Sequence, residues 1–80
     1  MSKEQLLTEN ELAAIAKRFR IEAKKSRAQA ARDMKVSQTS IHHAEESPQL
    51  SLLRLRIRLI EAYSPFEVVG PVFRLTRKRG

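Results

Sequence analysis

The chain has 80 residues, no cysteine and a formal charge of +7. A domain of this length is near the lower limit for independent folding, so a partner subunit is favourable, and the lack of cysteine excludes disulfides and thiolate metal sites. No apolar run reaches the ~20 residues of a membrane span and no signal-peptide pattern is present, so we expect a cytoplasmic protein.

The positive charge is concentrated in one part of the chain. Residues 16–36 hold eight basic and two acidic residues, a net of +6, whereas residues 1–15 carry a net of −2. Three further cations, Arg77, Lys78 and Arg79, lie near the end of the chain. Clustered cations favour contacts with nucleic-acid phosphates, and the alternative is a solvated basic surface without a partner.

Three helices are predicted in the first half of the chain, after a flexible lead-in over residues 1–8. Thr8 and Glu11 have the spacing of a capping box, and apolar residues at three- and four-residue spacing predict a helix over 9–25. Ser26 is a predicted N-cap for a second helix over 27–34, and Ser37 for a third over 38–45.

The second half of the chain predicts one more helix and a β segment. Residues 53–59 alternate between apolar residues and arginine, as in a half-buried strand, but residues 50–63 also show a helical stripe. Fourteen residues without glycine or proline exceed the usual strand length, so we predict a helix. Residues 66–76 have strand composition, interrupted by Gly70 and Pro71, which predicts an edge strand or a short hairpin.

The β segment is too apolar for a free tail, and the sequence shows no other strand for it to pair with. We therefore expect it to pair antiparallel with its copy in a second subunit. The residues assigned to this dimer interface are Phe66, Val68, Val72 and Phe73.

Residues 26–45 indicate two short helices that cross closely at a tight turn, because the inward positions are small or apolar. The second of them leaves amide, hydroxyl and imidazole side chains pointing outward, the groups that address base edges in DNA. These outward residues are Gln38, Thr39, Ser40, His42 and His43.

Residues 12–63 carry a set of residues at characteristic spacing: Arg20, Ser26, Ala30, Ala31, Val36, Ser37, Ile41 and Glu45. With these positions the segment resembles the phage-repressor and Cro type of helix-turn-helix domain, the Xre family. The chain departs from the family at Arg27, where glutamine is usual, and at Lys35, where the turn usually has glycine. The resemblance implies a mainly α, lambda-repressor-like domain of four helices over 9–63. Composition and charge add a β-strand or hairpin for dimerisation over 64–76 and a basic tail over 77–80.

The resemblance also implies roles for single residues, with the third helix in the major groove. Gln38 could bind adenine through both ends of its amide, and Arg20 with Glu45 would form a buried structural ion pair. The implied base contacts are Gln38, Thr39, Ser40 and His43. The implied phosphate contacts are Arg27, Ser37, His42, Arg77, Lys78 and Arg79.

The function expected from these features is a sequence-specific, dimeric DNA-binding transcriptional regulator, a repressor of bacterial or phage type. An antitoxin, whose segment 66–80 would wrap a toxin protein, is the alternative, and a nonspecific nucleoid or RNA-binding protein is a weaker one. Nucleophiles with spaced acid-base partners and glycine-rich phosphate loops are absent from the sequence, which predicts no enzyme activity and no cofactor. His42 and His43 face different directions on a helix, so no metal site is predicted, and no small-molecule ligand is evident.

Overall fold

The structure, a computed structural model, describes residues 7–69 and 74–78. Within these residues the chain forms four helices followed by an antiparallel hairpin of two strands. The mainly helical class is therefore confirmed, and the strand interpretation of the Leu-Arg alternation is wrong, because that segment lies within a helix. The elements are α1 (Glu9–Glu22), α2 (Arg27–Met34), α3 (Gln38–Glu46), α4 (Leu53–Tyr63), β1 (Phe66–Val69) and β2 (Arg74–Arg77).

Local hydrogen bonds define where the first three helices begin. Thr8 Oγ1 accepts from the Glu11 N–H at 3.2 Å, and Glu11 Oε1 accepts from the Thr8 N–H at 2.8 Å. Ser26 forms the same reciprocal capping box with Gln29, a pairing that the sequence analysis did not include. Ser37 Oγ accepts from the Ser40 N–H at 3.1 Å. All three predicted caps are confirmed, because capping depends on residues within three positions of each other.

The core lies where α1 packs along α4 and where α2 crosses α3 beneath them. Leu12, Ile41 and Leu59 are completely buried, and each such side chain stabilises the fold by about 1.5–3 kcal/mol. The α2–α3 crossing is close because its buried positions include alanines, which leave no bulk between the helices. These alanines are Ala30, Ala31 and Ala44.

The turn between α2 and α3 has a left-handed residue that is not glycine. Lys35 has φ 59° and ψ 46°, and its N–H donates to the Arg32 carbonyl at 3.2 Å. The following Val36 N–H donates to the Ala31 carbonyl at 3.0 Å, which completes the helix end. A left-handed conformation costs a residue with a Cβ about 1–2 kcal/mol, so the turn is kept at the expense of stability.

The β segment is a hairpin within one chain. Phe66 is paired with Arg77 and Val69 with Arg74, in antiparallel register. The expectation that this strand has no partner within its own chain is wrong, because residues 74–77 supply one. Phe66 and Val68 pack half-buried against the helical core, and the Phe66 ring centroid lies 5.9 Å from that of Phe19. The other two residues assigned to the dimer interface, Val72 and Phe73, lie outside the described residues.

Candidate nucleic-acid interface

Helix α3 has one buried face and one exposed face. Ile41 and Ala44 are completely buried in the core, with Glu45 beside them. Gln38 and Thr39, in the first turn, are exposed, and among the described residues their side chains have no hydrogen-bond partner. The sequence-predicted leading base contacts therefore lie on a free surface of a helix that is anchored through its other side.

The other two predicted base contacts are partly engaged within the chain. Ser40 is half-buried, and its hydroxyl lies 3.0 Å from Ser37 Oγ in a hydrogen bond between the two side chains. His43 is also half-buried, with Nδ1 3.4 Å from Ser47 Oγ. His42, a predicted phosphate contact, is exposed and lies edge-on to the His43 ring. Of the five polar side chains that the sequence predicted to point outward, three are exposed: Gln38, Thr39 and His42.

A buried ion pair holds the end of α3 against α1. Arg20 Nε donates to Glu45 Oε2 at 2.6 Å, and Arg20 Nη2 donates to Glu45 Oε1 at 3.0 Å. The remaining Arg20 nitrogen, Nη1, donates to the Lys25 carbonyl at 2.8 Å. Two parallel charge-assisted bonds fix both position and orientation, so the angle of α3 relative to α1 depends on this pair.

The ion pair extends into a charge network of five residues at the C-terminal end of α3. Arg27 Nε donates to Glu45 Oε1 at 3.2 Å, and Arg27 Nη2 donates to Glu46 Oε2 at 2.9 Å. Lys17 Nζ reaches the same Glu46 oxygen at 2.5 Å. The hydrogen bond from the Lys17 ammonium holds the pKa of Glu46 below its usual range, with partial burial acting in the opposite direction. We name this charge network by its members: Lys17, Arg20, Arg27, Glu45 and Glu46.

Arg27 was predicted to be a phosphate contact, and the structure places its guanidinium on two carboxylates of its own chain. The side chain is 35% exposed and stands at the first residue of α2, so it lies at the surface. To contact a phosphate it would have to exchange at least one carboxylate oxygen for a phosphate oxygen. Arg27 and Glu45 are 18 residues apart, so no local pattern in the sequence indicates this contact.

Arg56 is a buried cation that sequence reasoning did not identify. Its side chain is 0% exposed, and it donates to the carbonyls of Ala44, Ser47 and Leu50 at 2.9–3.0 Å. A weaker contact of 3.4 Å joins it to the Glu9 carboxylate. Burial lowers the pKa of Arg56 and Glu9 opposes that shift. An arginine remains charged in such surroundings, so Arg56 fixes the end of α3 and the loop after it by satisfying their carbonyls.

A signal for this role was present in the spacing along α4. Arg56 stands four residues after Leu52 and four residues before Ile60, which places it on the apolar stripe of the helix. A cation on the buried stripe must find hydrogen-bond acceptors, because an unpaired buried charge is strongly unfavourable.

Two of the three cations predicted to form a basic tail have contacts within the chain. The Arg77 guanidinium lies over the Phe66 ring, 5.5 Å from its centroid. Lys78 Nζ donates to the Glu61 carbonyl and, at 3.1 Å, to the Ser64 carbonyl, both at the end of α4. Lys78 thus binds the last carbonyls of α4, as a cation does at the C-terminal end of a helix, and its role as a phosphate contact stays a prediction. Arg79 lies outside the described residues.

A groove of about 450 Å³ opens beside the first turn of α3, and sequence reasoning did not foresee it. Its walls are the α2–α3 turn and the start of α4, and two arginines of α4 stand at its edge. Arg58 Nη2 donates to the Met34 carbonyl at 2.8 Å and so caps α2, while Arg54 is exposed. The groove is lined by Val36, Ser40, Arg58 and residues 51–55.

Two general properties of the described residues bear on the class of site. Over residues 7–69 and 74–78, no group of three or more metal-ligating side chains converges. No helix in the same part of the chain has the length and apolarity needed to cross a bilayer. Compared with known proteins, the chain matches no family model, no curated protein and no solved structure.

Proposed function

We propose that this protein is a sequence-specific DNA-binding transcriptional regulator that reads DNA through α3. The observation that carries the proposal is the division of this helix into an anchored face and a free face. Gln38 and Thr39 are exposed at its first turn, while Ile41 and Glu45 are held in the core. A helix that enters the major groove must be rigidly supported and must present amides or hydroxyls near its N-terminus.

The arrangement of α2 and α3 supports the same proposal. Two helices of eight and nine residues are joined by a three-residue turn at 35–37. A short helix pair with a tight turn is the form of a helix-turn-helix motif, in which the second helix reads the groove. Together with the resemblance to the Xre family, this geometry supports assigning residues 27–46 to such a motif.

The proposed contacts divide into base reading and phosphate binding. Gln38 and Thr39 are the leading base contacts, with Ser40 and His43 behind them because both are partly engaged in the chain. Ser37, His42 and Arg27 surround the N-termini and the exposed side of the two helices, where phosphates would lie. The formal charge of +7 favours DNA as the partner through long-range attraction.

Dimerisation is part of the proposal, and the hairpin is the element that we assign to it. In the described residues β1 and β2 pair only with each other, so each strand keeps an edge to which a strand of a second copy could add. Joining two hairpins across a two-fold axis would supply further strands and would set two α3 helices about 34 Å apart. Sedimentation analysis of the wild type and of a Val72→Ser/Phe73→Ser variant tests this: we expect a dimer and a monomer, respectively.

The decisive experiment is selection of bound duplexes from a random-sequence pool with the full chain. We expect enrichment of a pseudo-palindrome with half-sites about 10 base pairs apart. Binding of all duplexes with similar affinity would overturn sequence reading in favour of nonspecific binding. Failure of the folded chain to bind any duplex would overturn DNA binding and direct the search to a protein partner, as the antitoxin alternative requires.

A further inference from the structure

The outer carboxylate of the charge network has no role in the fold core and none in the base contacts proposed above. Glu46 is the last residue of α3 and is 35% exposed, whereas the neighbouring Glu45 side chain is 0% exposed. We propose that Glu46 is an internal competitor for DNA phosphates, which occupies Lys17 and Arg27 until DNA displaces it. This inference rests on the proposed function and concerns its regulation by the chain's own charge.

Two cations converge on one carboxylate oxygen of Glu46. Lys17 Nζ lies 2.5 Å and Arg27 Nη2 lies 2.9 Å from the same atom, Glu46 Oε2. Lys17 belongs to α1 and Arg27 to α2, so the two helices together build a point at which an anionic oxygen is bound. A phosphate oxygen has the charge and acceptor capacity of that carboxylate oxygen, so either anion fits the two donors.

Only the outer carboxylate is free to leave. Glu45 is buried and held by two bonds from Arg20, so its departure would strand a buried charge. Glu46 is held through one oxygen only, and its side chain is 35% exposed, so it can turn into solvent, where water replaces its two donors. When it leaves, the bond from Arg27 Nε to Glu45 still holds the guanidinium at the surface. Arg27 is thus positioned by one carboxylate and blocked by the other.

The competition has a defined consequence for DNA binding. A cation that exchanges a carboxylate for a phosphate gains less binding free energy than a cation that exchanges water for a phosphate. The freed carboxylate then also lies close to the negative DNA backbone. Both effects lower the affinity for every sequence alike, since they concern phosphates and not bases. The liberated Glu46 also takes up salt cations, which reduces the net number of ions released on binding.

The test compares two variants that remove the same charge at different places. Glu46→Gln removes the competitor, and Glu22→Gln removes a carboxylate that is 62% exposed and lies 3.8 Å from Arg18 on the same helix. Fluorescence anisotropy with a random-sequence duplex of about 20 base pairs measures the affinity over a salt series. Thermal melts followed by circular dichroism verify that both variants are folded.

The expected result separates the two variants. At about 100 mM salt, Glu46→Gln binds the random duplex about three- to tenfold more tightly than the wild type, with a salt slope steeper by about one. Glu22→Gln changes the affinity less than about twofold, because the carboxylate faces Arg18 and occupies neither Lys17 nor Arg27, and an exposed charge is largely screened by salt. In the Glu46→Gln background, Lys17→Gln should remove part of the gain, because it deletes one of the two released cations.

Two outcomes would overturn the inference, and a third would overturn its premise. Equal affinities for Glu46→Gln and Glu22→Gln would show that Glu46 does not compete with phosphates. A gain that persists in full with Lys17→Gln would show that the released cation is not Lys17. If the folded wild type and both variants bind neither random nor selected duplexes, the proposed function itself fails.

Discussion

The two faces of α3 differ in their contacts with the rest of the chain. On the buried face, Ile41 and Ala44 pack in the core, and Glu45 accepts hydrogen bonds from Arg20 and Arg27. On the exposed face, Gln38 and Thr39 contribute no side-chain hydrogen bond within the described residues. We therefore expect substitutions on the buried face to change stability, and substitutions on the exposed face to leave the fold intact and to change binding to the proposed DNA partner.

The end of α3 shows the same division between neighbouring residues. Glu45 fixes the helix to α1, and Glu46, one position further, meets cations at the surface. Arg56 completes the buried side by binding the carbonyls of Ala44 and Ser47. Substitutions on the buried side should therefore lower the stability, and substitutions on the exposed side should lower binding. We expect the largest effect on the buried side.

Arg20→Met tests the buried side most strongly. Loss of the guanidinium leaves the Glu45 carboxylate buried with Arg27 as its remaining partner, so we expect the free energy of unfolding to fall by about 3–5 kcal/mol, nearer the lower value. Urea denaturation measures it. The double variant Arg20→Met/Glu45→Leu removes both charges and should recover much of the loss. A near-neutral effect of Arg20→Met would contradict the buried position of the pair.

Arg56→Met tests whether the buried cation stabilises the end of α3. The substitution removes the Arg56 donor from three carbonyls. Those of Ser47 and Leu50 keep a backbone N–H donor, at 3.0 and 2.9 Å, so the loss falls mainly on the Ala44 carbonyl and we expect about 1–3 kcal/mol. The matched control is Arg54→Met, an exposed arginine on the same helix, which should change the stability by less than about 0.5 kcal/mol. Equal effects of the two variants in urea denaturation would mean that the cage of carbonyls around Arg56 contributes nothing.

Gln38→Ala and Thr39→Ala test the exposed side. Each should weaken binding to the selected duplex by about 1–3 kcal/mol while changing binding to random duplexes little, because base contacts are lost and phosphate contacts remain. The melting temperature should stay close to that of the wild type. Gln49→Ala, an exposed amide in the loop after α3, is the control for loss of an amide. Losses of equal size on both kinds of duplex would show that α3 does not read bases.

Lys35→Gly tests the turn that joins the two helices, with the smallest expected effect. Glycine adopts φ 59° without steric cost, and its greater freedom in the unfolded chain offsets part of that gain. We expect a net stabilisation of about 0.5–1 kcal/mol. Arg32→Gly, at a helical position of α2, should instead destabilise by about 1 kcal/mol. We expect the two variants to change the free energy of unfolding in opposite directions. A destabilising Lys35→Gly would contradict the strained turn.

Features formed by residues close together in the chain were predicted better from the sequence than features formed by residues far apart in it. The starts of α1, α2 and α3 were predicted at the residue, because Thr8, Ser26 and Ser37 cap helices through bonds to residues three positions away. The end of α1 was predicted three residues late, because apolar residues at helical spacing continue beyond the last residue of the helix. The Arg20–Glu45 pair, 25 residues apart, was expected through the family resemblance and not through local pattern.

The sequence by itself determined the helical class, the caps, the concentration of cations and the polar surface of α3, since each depends on neighbouring residues or on composition. Only the tertiary structure decided which of those charges are free. It placed Arg27 on two carboxylates, buried Arg56 among carbonyls, bound Lys78 to the end of α4 and gave β1 its partner within the chain. These contacts join residues that the folded core brings together, so their positions depend on the packing of whole helices and cannot be inferred from neighbours in the chain.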